Sequence, residues 1–533
     1  MKATVAELAK LLDDAEIIGS ADTEVNDLSC DSRLVKPSDL FVCVTGFQSD
    51  GHKFAAEAAA KGAAALVTER RLSGVGIPLI VVPNSRKALS ILAAHFCGRP
   101  SEKLLNVGIT GTNGKTTTAY LIESILKKGG KNPGLLGTIE AHVAGEVIKL
   151  NNTTPGAYEL QHMFADMVKA EQKSCVMEVS SHALALDRTY GIPFDVAVFT
   201  NLTQDHLDFH GTMEEYFHAK ARLFTNLGIY KRPSEPELGP VAVINIDDEY
   251  GKRIVEMIKD RVPVITYGTD PRADVRAYNV SASPKGLSFM LETRLGCAEV
   301  QLQLSGSFNV HNALAAAAAG IAAHVGFADI VCALQEVASV PGRFQLINRG
   351  QGFAVIVDYA HTPDGLAHLL DSARQITPNG GELTVVFGCG GDRDKGKRPL
   401  MGRIAVNKAD KVFISNDNPR SENPEDIVGD ILNGIPFEMM ERVEIIYDRA
   451  EAIKKAVSTA KVFDTVVIAG KGHETYQKFS DHTVHFDDAE KAAAALSEMK
   501  CSKTVNAMHK VRLAIKFDEC VFDLSKYLRR GNG

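Results

Sequence analysis

The amino-acid sequence lacks paired cysteines: its nine cysteines are odd in number, widely scattered and never in a C-x-x-C spacing. This pattern excludes a disulfide framework and a cysteine-ligated zinc site, and it fits a reducing cytoplasm. No apolar run is long enough to span a membrane, and the amino terminus has early acidic residues and no apolar signal core. We therefore expect a cytoplasmic protein that does not bind membranes.

The chain also lacks an excess of basic charge. Its formal net charge of −7 at pH 7 gives no electrostatic footprint for nucleic acid or an anionic membrane. Hydrophobic residues make up 45% of the chain and charged residues 23%, as in ordinary globular proteins. Its 533 residues are too many for one hydrophobic core, so several domains are predicted. Any anionic ligand must be held by a local cluster of donors.

A glycine-rich turn joins a predicted strand, 104–109, to a predicted helix, 116–128. This is the order of a phosphate-binding loop, in which Gly111 and Gly114 let successive N–H groups converge at the positive end of the helix. The usual pattern has a further glycine where this chain has Ile109, so the loop is a shortened G-T-N-G-K-T variant. The expected ligand is a nucleoside triphosphate.

Several polar groups surround this loop in the predicted sheet. Lys115 supplies a mobile positive charge, and Thr116 offers a hydroxyl to Mg²⁺. Glu178 lies near the carboxyl end of a predicted strand, where open α/β sheets bind ligands, so it is either a Mg²⁺ contact or a salt-bridge partner. The segment 201–211 contains two aspartates and two histidines, which suit metal or phosphate binding or a helix-capping turn.

Two predicted helices carry unusual polar residues. Lys220 falls on an otherwise apolar face of the predicted helix 214–224, where a lysine ordinarily extends its charge into solvent. Asn309 and Asn312 precede an alanine-rich helix predicted over 313–323, and either residue caps that helix or faces a ligand.

Apolar strands alternate with helices again after residue 340, which predicts a mostly parallel sheet covered on both faces. The predicted strands are 353–357, 383–387, 411–414, 443–446 and 465–469. Polar and glycine-rich loops follow four of them, and the carboxyl ends of parallel strands converge on one edge of a sheet. These loops begin at Asp358, Gly388, Asp417 and Gly470. We therefore predict a second ligand-binding edge.

Seven motifs resemble, in order, those of the Mur ligase family, and the resemblance extends from about residue 25 to residue 490. It implies three α/β domains: a UDP-binding domain over 1–98, a central P-loop ATPase-like domain over 99–340, and a Rossmann-like amino-acid-binding domain over 341–500. Residues 501–533 form an appended tail of unknown role. The motifs are Gly111–Thr117, Met177–His182, Asn201–Asp208, Gly306–Asn312, Pro341–Phe344, Asp358–His361 and Gly470–Glu474.

Within that family, the chain is most similar to the members that add meso-diaminopimelate to UDP-N-acetylmuramoyl-L-alanyl-D-glutamate through an acyl phosphate, releasing ADP and phosphate. The resemblance thus implies a role in peptidoglycan synthesis, and with it in cell-wall biogenesis, cell shape and cell division. The tetrapeptide 417–420, Asp-Asn-Pro-Arg, matches diaminopimelate users, whereas lysine users have a different one. Arg420 can bind the second carboxylate of diaminopimelate bidentately, and lysine has no such carboxylate.

Three alternatives remain open. One is a lysine-adding ligase of the same family. Another is a folylpolyglutamate-synthase-like ligase, which would lack the uridine-binding domain and the Asp-Asn-Pro-Arg loop. The third is a nucleotide switch or binding protein, which would hydrolyse or bind nucleotide without dependence on an amino acid.

The resemblance also implies roles for individual residues. The ATP site comprises Gly111, Thr112, Asn113, Gly114, Lys115, Thr116, Thr117, Asn309, Arg343 and Asp358. The UDP-muramoyl dipeptide site comprises Cys30, Ser32, Phe47, Gln48, Ser49, Asn152, Thr153, Thr154, Ser180, Leu186 and Arg188; some members have Gln in place of Leu186 and His in place of Phe47. The diaminopimelate site comprises Arg393, Asp417, Asn418, Pro419, Arg420, Gly470 and Glu474.

The catalytic residues implied are Lys115, Glu178, His206 and Lys220. Thr116 and Glu178 would hold one Mg²⁺ ion, and His206 a second. Lys220 aligns with a lysine that the family carbamylates with CO₂ to N6-carboxylysine, whose carboxylate would be a further metal contact. Carbamylation needs a neutral amine, which partial burial favours. The partners implied are these small molecules alone, bound by a monomer.

Overall fold

The computed structural model describes residues 2–46, 49–230, 239–283 and 286–499. The chain forms two compact units that divide between Ala338 and Ser339. Strands and helices alternate in both units, which confirms the predicted α/β class. Within the described residues, none of the helices combines the length and the apolar character needed to cross a membrane.

The amino-terminal part of the first unit is a small α/β layer. Its elements are β1 (Ala3–Thr4), α1 (Val5–Ala9), β2 (Glu16–Ile18), β3 (Glu24–Val25), β4 (Asp27–Ser29), β5 (Asp39–Val42), α2 (Ala55–Ala60), β6 (Ala65–Thr68), β7 (Leu79–Val81) and α3 (Ser85–Phe96). Five strands pair in the order β2-β7-β6-β5-β4, and β1 pairs separately with β3. Leu40, Val67 and Ile80 are fully buried in the core of this sheet.

The rest of the first unit is built on one large sheet. Its elements are β8 (Leu105–Thr110), α4 (Lys115–Lys128), β9 (Pro133–Leu136), β10 (Ala141–Val143), β11 (Glu146–Ile148), α5 (Ala157–Lys169), β12 (Ser174–Glu178), α6 (Ser181–Ala185), β13 (Val196–Phe199), α7 (Leu207–His210), α8 (Met213–Thr225), β14 (Val241–Asn245), α9 (Glu249–Ile258), β15 (Val264–Gly268), β16 (Val275–Ser283), β17 (Gly286–Thr293), β18 (Gly296–Leu302), α10 (Asn309–Ala322) and α11 (Phe327–Glu336).

The order of its eleven strands is β11-β10-β9-β12-β8-β13-β14-β15-β16-β17-β18. The strands from β9 to β16 in that order are parallel, whereas β10, β11, β17 and β18 extend the two edges as antiparallel strands. Every residue of β8 is buried. The phosphate loop leaves the carboxyl end of this central strand, so β12 and β13 bring polar residues to both sides of it.

The second unit has a six-stranded sheet. Its elements are β19 (Gln345–Leu346), β20 (Ala354–Asp358), α12 (Pro363–Ile376), β21 (Leu383–Phe387), α13 (Lys397–Lys408), β22 (Lys411–Ile414), α14 (Pro424–Leu432), β23 (Val443–Ile445), α15 (Arg449–Thr459), β24 (Thr465–Ala469), β25 (Tyr476–Lys478), β26 (Thr483–His485) and α16 (488–499). The order β19-β20-β24-β21-β22-β23 is parallel from β20 to β23, which confirms the predicted sheet.

One predicted helix boundary is wrong. Helix α10 begins at Asn309, four residues before the predicted start, and Phe308 is its N-cap residue. Asn309 and Asn312 therefore lie in the first turn of the helix and do not cap it. The Asn309 side-chain amide donates to the Ser305 carbonyl at 2.7 Å, and that of Asn312 donates to Asn309 Oδ1 at 2.8 Å. Residues 501–533 lie outside the described part of the chain.

Candidate active site

The phosphate loop has a backbone path that requires its two glycines. Gly111 has φ +151° and Gly114 has φ +85°, values in the region that favours glycine. A Cβ atom on Gly111 would lie 1.9 Å from Thr200 Oγ1, and one on Gly114 would lie 2.3 Å from Asn312 Oδ1. Thr200, which follows β13, therefore packs against Gly111, and Asn312 of α10 packs against Gly114, so an alanine at either position would displace the loop.

Two residues that follow β13 fix the tip of the loop. Asn201 Oδ1 accepts a hydrogen bond from the Asn113 N–H at 2.8 Å, and Thr200 Oγ1 donates to the Asn113 carbonyl at 2.7 Å. The Lys115 ammonium donates to the carbonyl of Gly111 at 3.0 Å. The loop is thus held in a single conformation, with Lys115 close to the backbone that would surround a phosphate.

Glu178 presents a buried carboxylate beside the loop. Its side chain is 1% exposed, at the last position of β12. Oε2 accepts from the hydroxyls of Thr116 at 3.1 Å and Thr138 at 2.9 Å, and Oε1 accepts from the Thr138 N–H at 2.8 Å. Among the described residues, no three His, Cys, Asp or Glu side chains converge on a metal position. This oxygen donor set fits Mg²⁺, which binds one or two carboxylates and completes its shell with phosphates and water.

Lys220 is buried under the same loop. Its side chain is 2% exposed, its ammonium donates to the Gly111 carbonyl at 2.7 Å, and it lies 4.6 Å from the centre of the Tyr216 ring. Burial, reinforced by the neighbouring Lys115 charge, lowers the pKa of Lys220 well below its ordinary value. The ordinary behaviour of a helical lysine, with its charge extended into solvent, is not seen here, and the lowered pKa shifts the amine towards its neutral form.

The histidines after β13 form a cluster with His182. The ring of His182 lies 4.9 Å from that of His206 and 5.6 Å from that of His210, measured between centroids. Burial lowers the pKa of both His182 and His210 to about 4, so these two rings are neutral at pH 7. His206 lies immediately before α7, with its Nε2 3.4 Å from Asp205 Oδ2. The segment is thus both a helix-starting turn and a group of nitrogen donors.

The residues predicted to hold the dipeptide lie next to Glu178. Thr154 Oγ1 donates to the Glu178 carbonyl at 2.8 Å and accepts from the Ser180 N–H at 3.0 Å. The Arg188 guanidinium donates to the Thr154 carbonyl at 2.9 Å, and the hydroxyl oxygens of Thr153 and Thr138 lie 3.1 Å apart. The structure therefore brings four of these predicted residues together: Thr153, Thr154, Ser180 and Arg188.

The other predicted dipeptide residues have separate positions. Asn152 is exposed in the same turn, and Leu186 is half-buried at the end of α6. In the amino-terminal sheet, Ser32 is buried and its carbonyl accepts from the Lys61 ammonium at 2.9 Å, whereas Cys30 and Ser49 are exposed. Phe47 and Gln48 lie outside the described residues.

In the second unit, the loops that follow β20, β24, β21 and β22 meet at the predicted edge. Asn418 is 2% exposed, and its amide donates to Glu474 Oε2 at 2.9 Å. The fully buried Lys471 donates to the same carboxylate oxygen at 3.0 Å. Gly470 has φ +118°, and a Cβ atom there would lie 2.8 Å from Asp417 Oδ2.

Two predicted nucleotide contacts lie together at this edge. Asp358 is buried, and its carboxylate accepts from the N–H groups of Phe344 and Ala360, both at 2.7 Å. Burial raises the pKa of Asp358, and the Arg343 charge opposes that rise. The Arg343 guanidinium lies 4.6 Å from the centre of the Tyr359 ring. Arg343 and Asp358 belong to the second unit, and the phosphate loop belongs to the first.

Family models match the chain in three successive segments. The Mur ligase family catalytic domain matches residues 24–97, the Mur ligase middle domain matches 109–320, and the Mur ligase glutamate ligase domain matches 342–472. Together these segments make up well over half of the chain. The chain belongs to the Mur ligase family.

Individual Mur ligases resemble the chain over nearly its whole length. The UDP-N-acetylmuramoyl-L-alanyl-D-glutamate--2,6-diaminopimelate ligase of Bacillus cereus is 44% identical over 491 residues, which cover 92% of this chain and 98% of that protein. The enzyme of the same name from Geobacillus kaustophilus is 48% identical over 471 residues, covering 88% and 94%. A solved structure of a ligase of that name has a TM-score of 0.66 at 33% identity, covering 94% of this chain and 100% of that one.

Folylpolyglutamate synthase of Mycobacterium tuberculosis, solved with ADP, shares the fold at 18% identity and a TM-score of 0.57, covering 78% of this chain and 94% of that one.

Three residues of this Mur ligase site were missed by the sequence analysis. Thr138 donates two hydrogen bonds to Glu178, Tyr216 covers the Lys220 ammonium, and Lys471 holds Glu474. Thr138 lies two residues after the buried strand β9, and Glu178 ends the buried strand β12, so the position of Thr138 contained a usable signal. Lys471 lies within the motif Gly470–Glu474, but the sequence does not indicate that its charged side chain is buried. Only the structure shows this.

Charged side chains connect strand β10 to α4, the helix that follows the phosphate loop. His142 Nδ1 is 2.5 Å from Glu123 Oε1 of α4, and its Nε2 is 3.1 Å from Glu140 Oε1, which also accepts from the Tyr120 hydroxyl at 2.7 Å. The hydrogen bond to Glu123 is the main cause that raises the pKa of His142 to about 9, and Glu140 adds to it. The imidazolium therefore stabilises the fold at neutral pH.

Replacing His142 by Gln is expected to remove a pH-dependent part of the stability. The pKa of His142 is about 9 in the folded protein and about 6.5 in the unfolded chain. The protonated ring therefore stabilises the fold fully below pH 6.5, and this stabilisation is lost as the pH rises through 9. The free energy of unfolding, from urea denaturation, should differ between wild type and His142→Gln by on the order of 3 kcal/mol near pH 6, and far less near pH 10.

His218→Gln provides the matched control, because His218 pairs with Glu214 at the exposed surface of α8. It should show no such pH-dependent difference. An equal difference between wild type and His142→Gln at both pH values would show that the variant changes packing and not charge.

Proposed function

We propose that this chain is an ATP-dependent ligase that adds meso-diaminopimelate to UDP-N-acetylmuramoyl-L-alanyl-D-glutamate in peptidoglycan precursor synthesis. The observation that carries the choice of amino acid is the loop 417–420, with its Arg420, in the same loop cluster as Glu474. A guanidinium matches the distal carboxylate of diaminopimelate, and Glu474 matches its distal ammonium. The near full-length likeness to ligases of this name supports the same assignment.

The reaction begins by making the dipeptide carboxylate reactive. A carboxylate is a poor electrophile at neutral pH, so its oxygen first attacks the γ-phosphoryl group of ATP, forming an acyl phosphate and ADP. Two anions must approach each other in this step, so positive charge and N–H donors are needed where they meet. Lys115 and the amino terminus of α4 supply them. Mg²⁺, when bound, neutralises phosphate charge.

The second step forms the amide bond. The diaminopimelate amine attacks the acyl carbon, a tetrahedral intermediate forms, and phosphate leaves with the electrons of the acyl C–O bond while the amine loses a proton. Thr153, Thr154, Ser180 and Arg188 surround the β12 terminus, so they are suited to orient the dipeptide. Thr116 and Glu178 would hold Mg²⁺, and His206 a second ion.

Lys220 is proposed to act as a carbamate. Its buried amine is favoured in the neutral form, which adds to the carbon of CO₂ and releases one proton, giving N6-carboxylysine. In the unmodified side chain, the Lys220 amino group donates to the Gly111 carbonyl at 2.7 Å, so the new carboxylate would form next to the phosphate loop. It supplies negative oxygens for orienting a cation.

We also propose that the protein is cytoplasmic and monomeric. The seven cysteines in the described part of the chain are free, which supports a reducing compartment such as the cytoplasm. Each predicted ligand site is built from residues of one chain, which is compatible with a monomer.

Phosphate release tests the proposed function against its alternatives. With ATP, Mg²⁺ and the UDP-muramoyl dipeptide present, meso-diaminopimelate is expected to stimulate phosphate release strongly, and L-lysine weakly. A lysine-adding ligase would show the reverse preference. Release that is independent of any amino acid would indicate a nucleotide switch, and stimulation only by glutamate with a folate substrate would indicate a folylpolyglutamate-synthase-like ligase.

A further inference from the structure

Two loops at the carboxyl edge of the second unit are joined by several hydrogen bonds. The Gly391 N–H donates to the Asn418 carbonyl at 2.9 Å, and the Ser421 hydroxyl donates to Asp392 Oδ1 at 2.7 Å. The Arg420 guanidinium donates to the Gly391 carbonyl at 2.7 Å. The loop after β21 therefore holds both the backbone and the side chain of the loop after β22.

A buried arginine, Arg398, forms hydrogen bonds to both loops of this junction. Arg398 is 0% exposed, and its guanidinium donates to both carboxylate oxygens of Glu422, at 2.9 and 3.0 Å. It also donates to Asp430 at 2.9 Å and to the Gly390 carbonyl at 3.2 Å. Glu422 Oε1 in turn accepts from the Asp392 N–H at 2.5 Å. Arg398 is thus bonded to both loops.

The electrostatics agree with the geometry. The hydrogen bond from Arg398 is the main cause that lowers the pKa of Glu422 to about 2, so the carboxylate is charged at neutral pH. Removing one partner of a buried pair leaves an uncompensated charge, which strongly destabilises a local structure.

The junction holds two residues in a conformation that side chains seldom adopt. Asp392 has φ +54° and Arg420 has φ +52°, both in the left-handed region. Such positions persist where the surrounding structure fixes them, and they occur often at ligand-binding sites. Here the hydrogen bonds between the loops restrain both residues.

We propose that Arg398, Glu422, Asp392 and Ser421 form a positioning clamp that fixes the Arg420 guanidinium for the distal carboxylate of the amino-acid substrate. The proposal rests on the proposed function, since it takes Arg420 as the group that binds diaminopimelate. The clamp residues act through Arg420. Arg398 has no exposed surface, and the Ser421 hydroxyl is bonded to Asp392.

The test is a double-mutant cycle between Ser421→Ala and Arg420→Ala, with Ser458→Ala as the matched control. Ser458 is an exposed serine of the same unit whose hydroxyl donates to the Lys455 carbonyl. The readouts are KM for meso-diaminopimelate and KM for ATP, from phosphate release with saturating dipeptide. Thermal unfolding of each variant confirms that it is folded.

Ser421→Ala is expected to raise KM for meso-diaminopimelate about threefold to tenfold, the effect of one hydrogen bond, and to leave KM for ATP unchanged. Glu422→Gln, which keeps the shape of the side chain and removes its charge, should raise KM for meso-diaminopimelate by more than Ser421→Ala, because the buried Arg398 then loses a compensating charge, and should also leave KM for ATP unchanged. In the Arg420→Ala background, Ser421→Ala should have no further effect, because the group that it positions is gone.

The clamp is refuted if Ser421→Ala leaves KM for meso-diaminopimelate as unchanged as Ser458→Ala does. It is also refuted if the increases in this KM caused by Ser421→Ala and Arg420→Ala multiply in the double variant, or if Ser421→Ala raises KM for ATP by the same factor. Failure of the proposed function is separate: it would appear as no diaminopimelate-dependent phosphate release by the wild-type protein. Wild-type release together with a silent Ser421→Ala refutes the clamp alone.

Discussion

Replacing Lys115 by Met is expected to lower kcat for ligation by about 10³-fold. The transferring phosphoryl group spreads negative charge towards the loop, and the Lys115 ammonium lies among the carbonyls of that loop, 3.0 Å from Gly111 O. Methionine keeps the length of the side chain and removes the charge, so the transition state loses a protein cation held at the phosphate loop. The measurement is the initial rate of phosphate release at saturating substrates.

Lys127→Met is the matched control, because Lys127 is an exposed lysine in the last turn of the same helix, α4. It should retain wild-type kcat. If Lys115→Met stays within about threefold of wild type, the loop does not act on phosphoryl transfer in the way described.

Replacing Lys220 by Ala is expected to lower kcat by about 10²-fold, the effect of losing a group that orients a metal. Wild-type activity should also fall when CO₂ and bicarbonate are removed from the buffer, and recover when bicarbonate is added back. The physical reason is that the buried amine of Lys220 is favoured in its neutral, CO₂-reactive form. Rates are measured as phosphate release in degassed and bicarbonate-supplemented buffers.

The Lys220→Ala variant is its own control for this experiment, since its residual rate should not respond to bicarbonate. Carbon-13 NMR of wild-type protein equilibrated with labelled bicarbonate should show one carbamate signal that the variant lacks. Full activity of the variant, together with an unmodified lysine in wild type, would remove Lys220 from the mechanism.

Local sequence predicted the phosphate loop and the second sheet well. The strand, glycine turn and helix around Gly111 are adjacent in sequence, so their order alone indicates the motif. The strands β21, β22 and β24 have the predicted bounds because each is a short apolar run between polar loops. Since such strands are parallel, the convergence of their loops followed from the sequence as well.

Features that depend on distant contacts were not predictable in the same way. The start of α10 was placed too late because Asn309 and Asn312 were considered as caps or ligand contacts, whereas Asn312 lies inside the helix and accepts a hydrogen bond from the Thr118 hydroxyl of α4 at 3.4 Å. The burial of Lys220 depends on Tyr216 and the loop above it, and a lysine in a helix gives no sign of this. The antiparallel strands at the edges of the large sheet were also missed.

The positioning clamp had no sequence signal. A glycine indicates a positive φ, but Asp392 and Arg420 adopt one as ordinary residues, held by contacts across two loops. Arg398 follows the loop that begins at Gly388 and was given no role from the sequence, yet its side chain is fully buried. Only the fold reveals that Arg398 binds carboxylates of the protein.

The most direct test of the account is the mass of the product formed from UDP-N-acetylmuramoyl-L-alanyl-D-glutamate, ATP and equal amounts of meso-diaminopimelate and L-lysine. The account predicts one main product, heavier than the nucleotide substrate by one diaminopimelate less one water, with one phosphate released per product. A lysine adduct as the main product, or no ATP-dependent product at all, would contradict it.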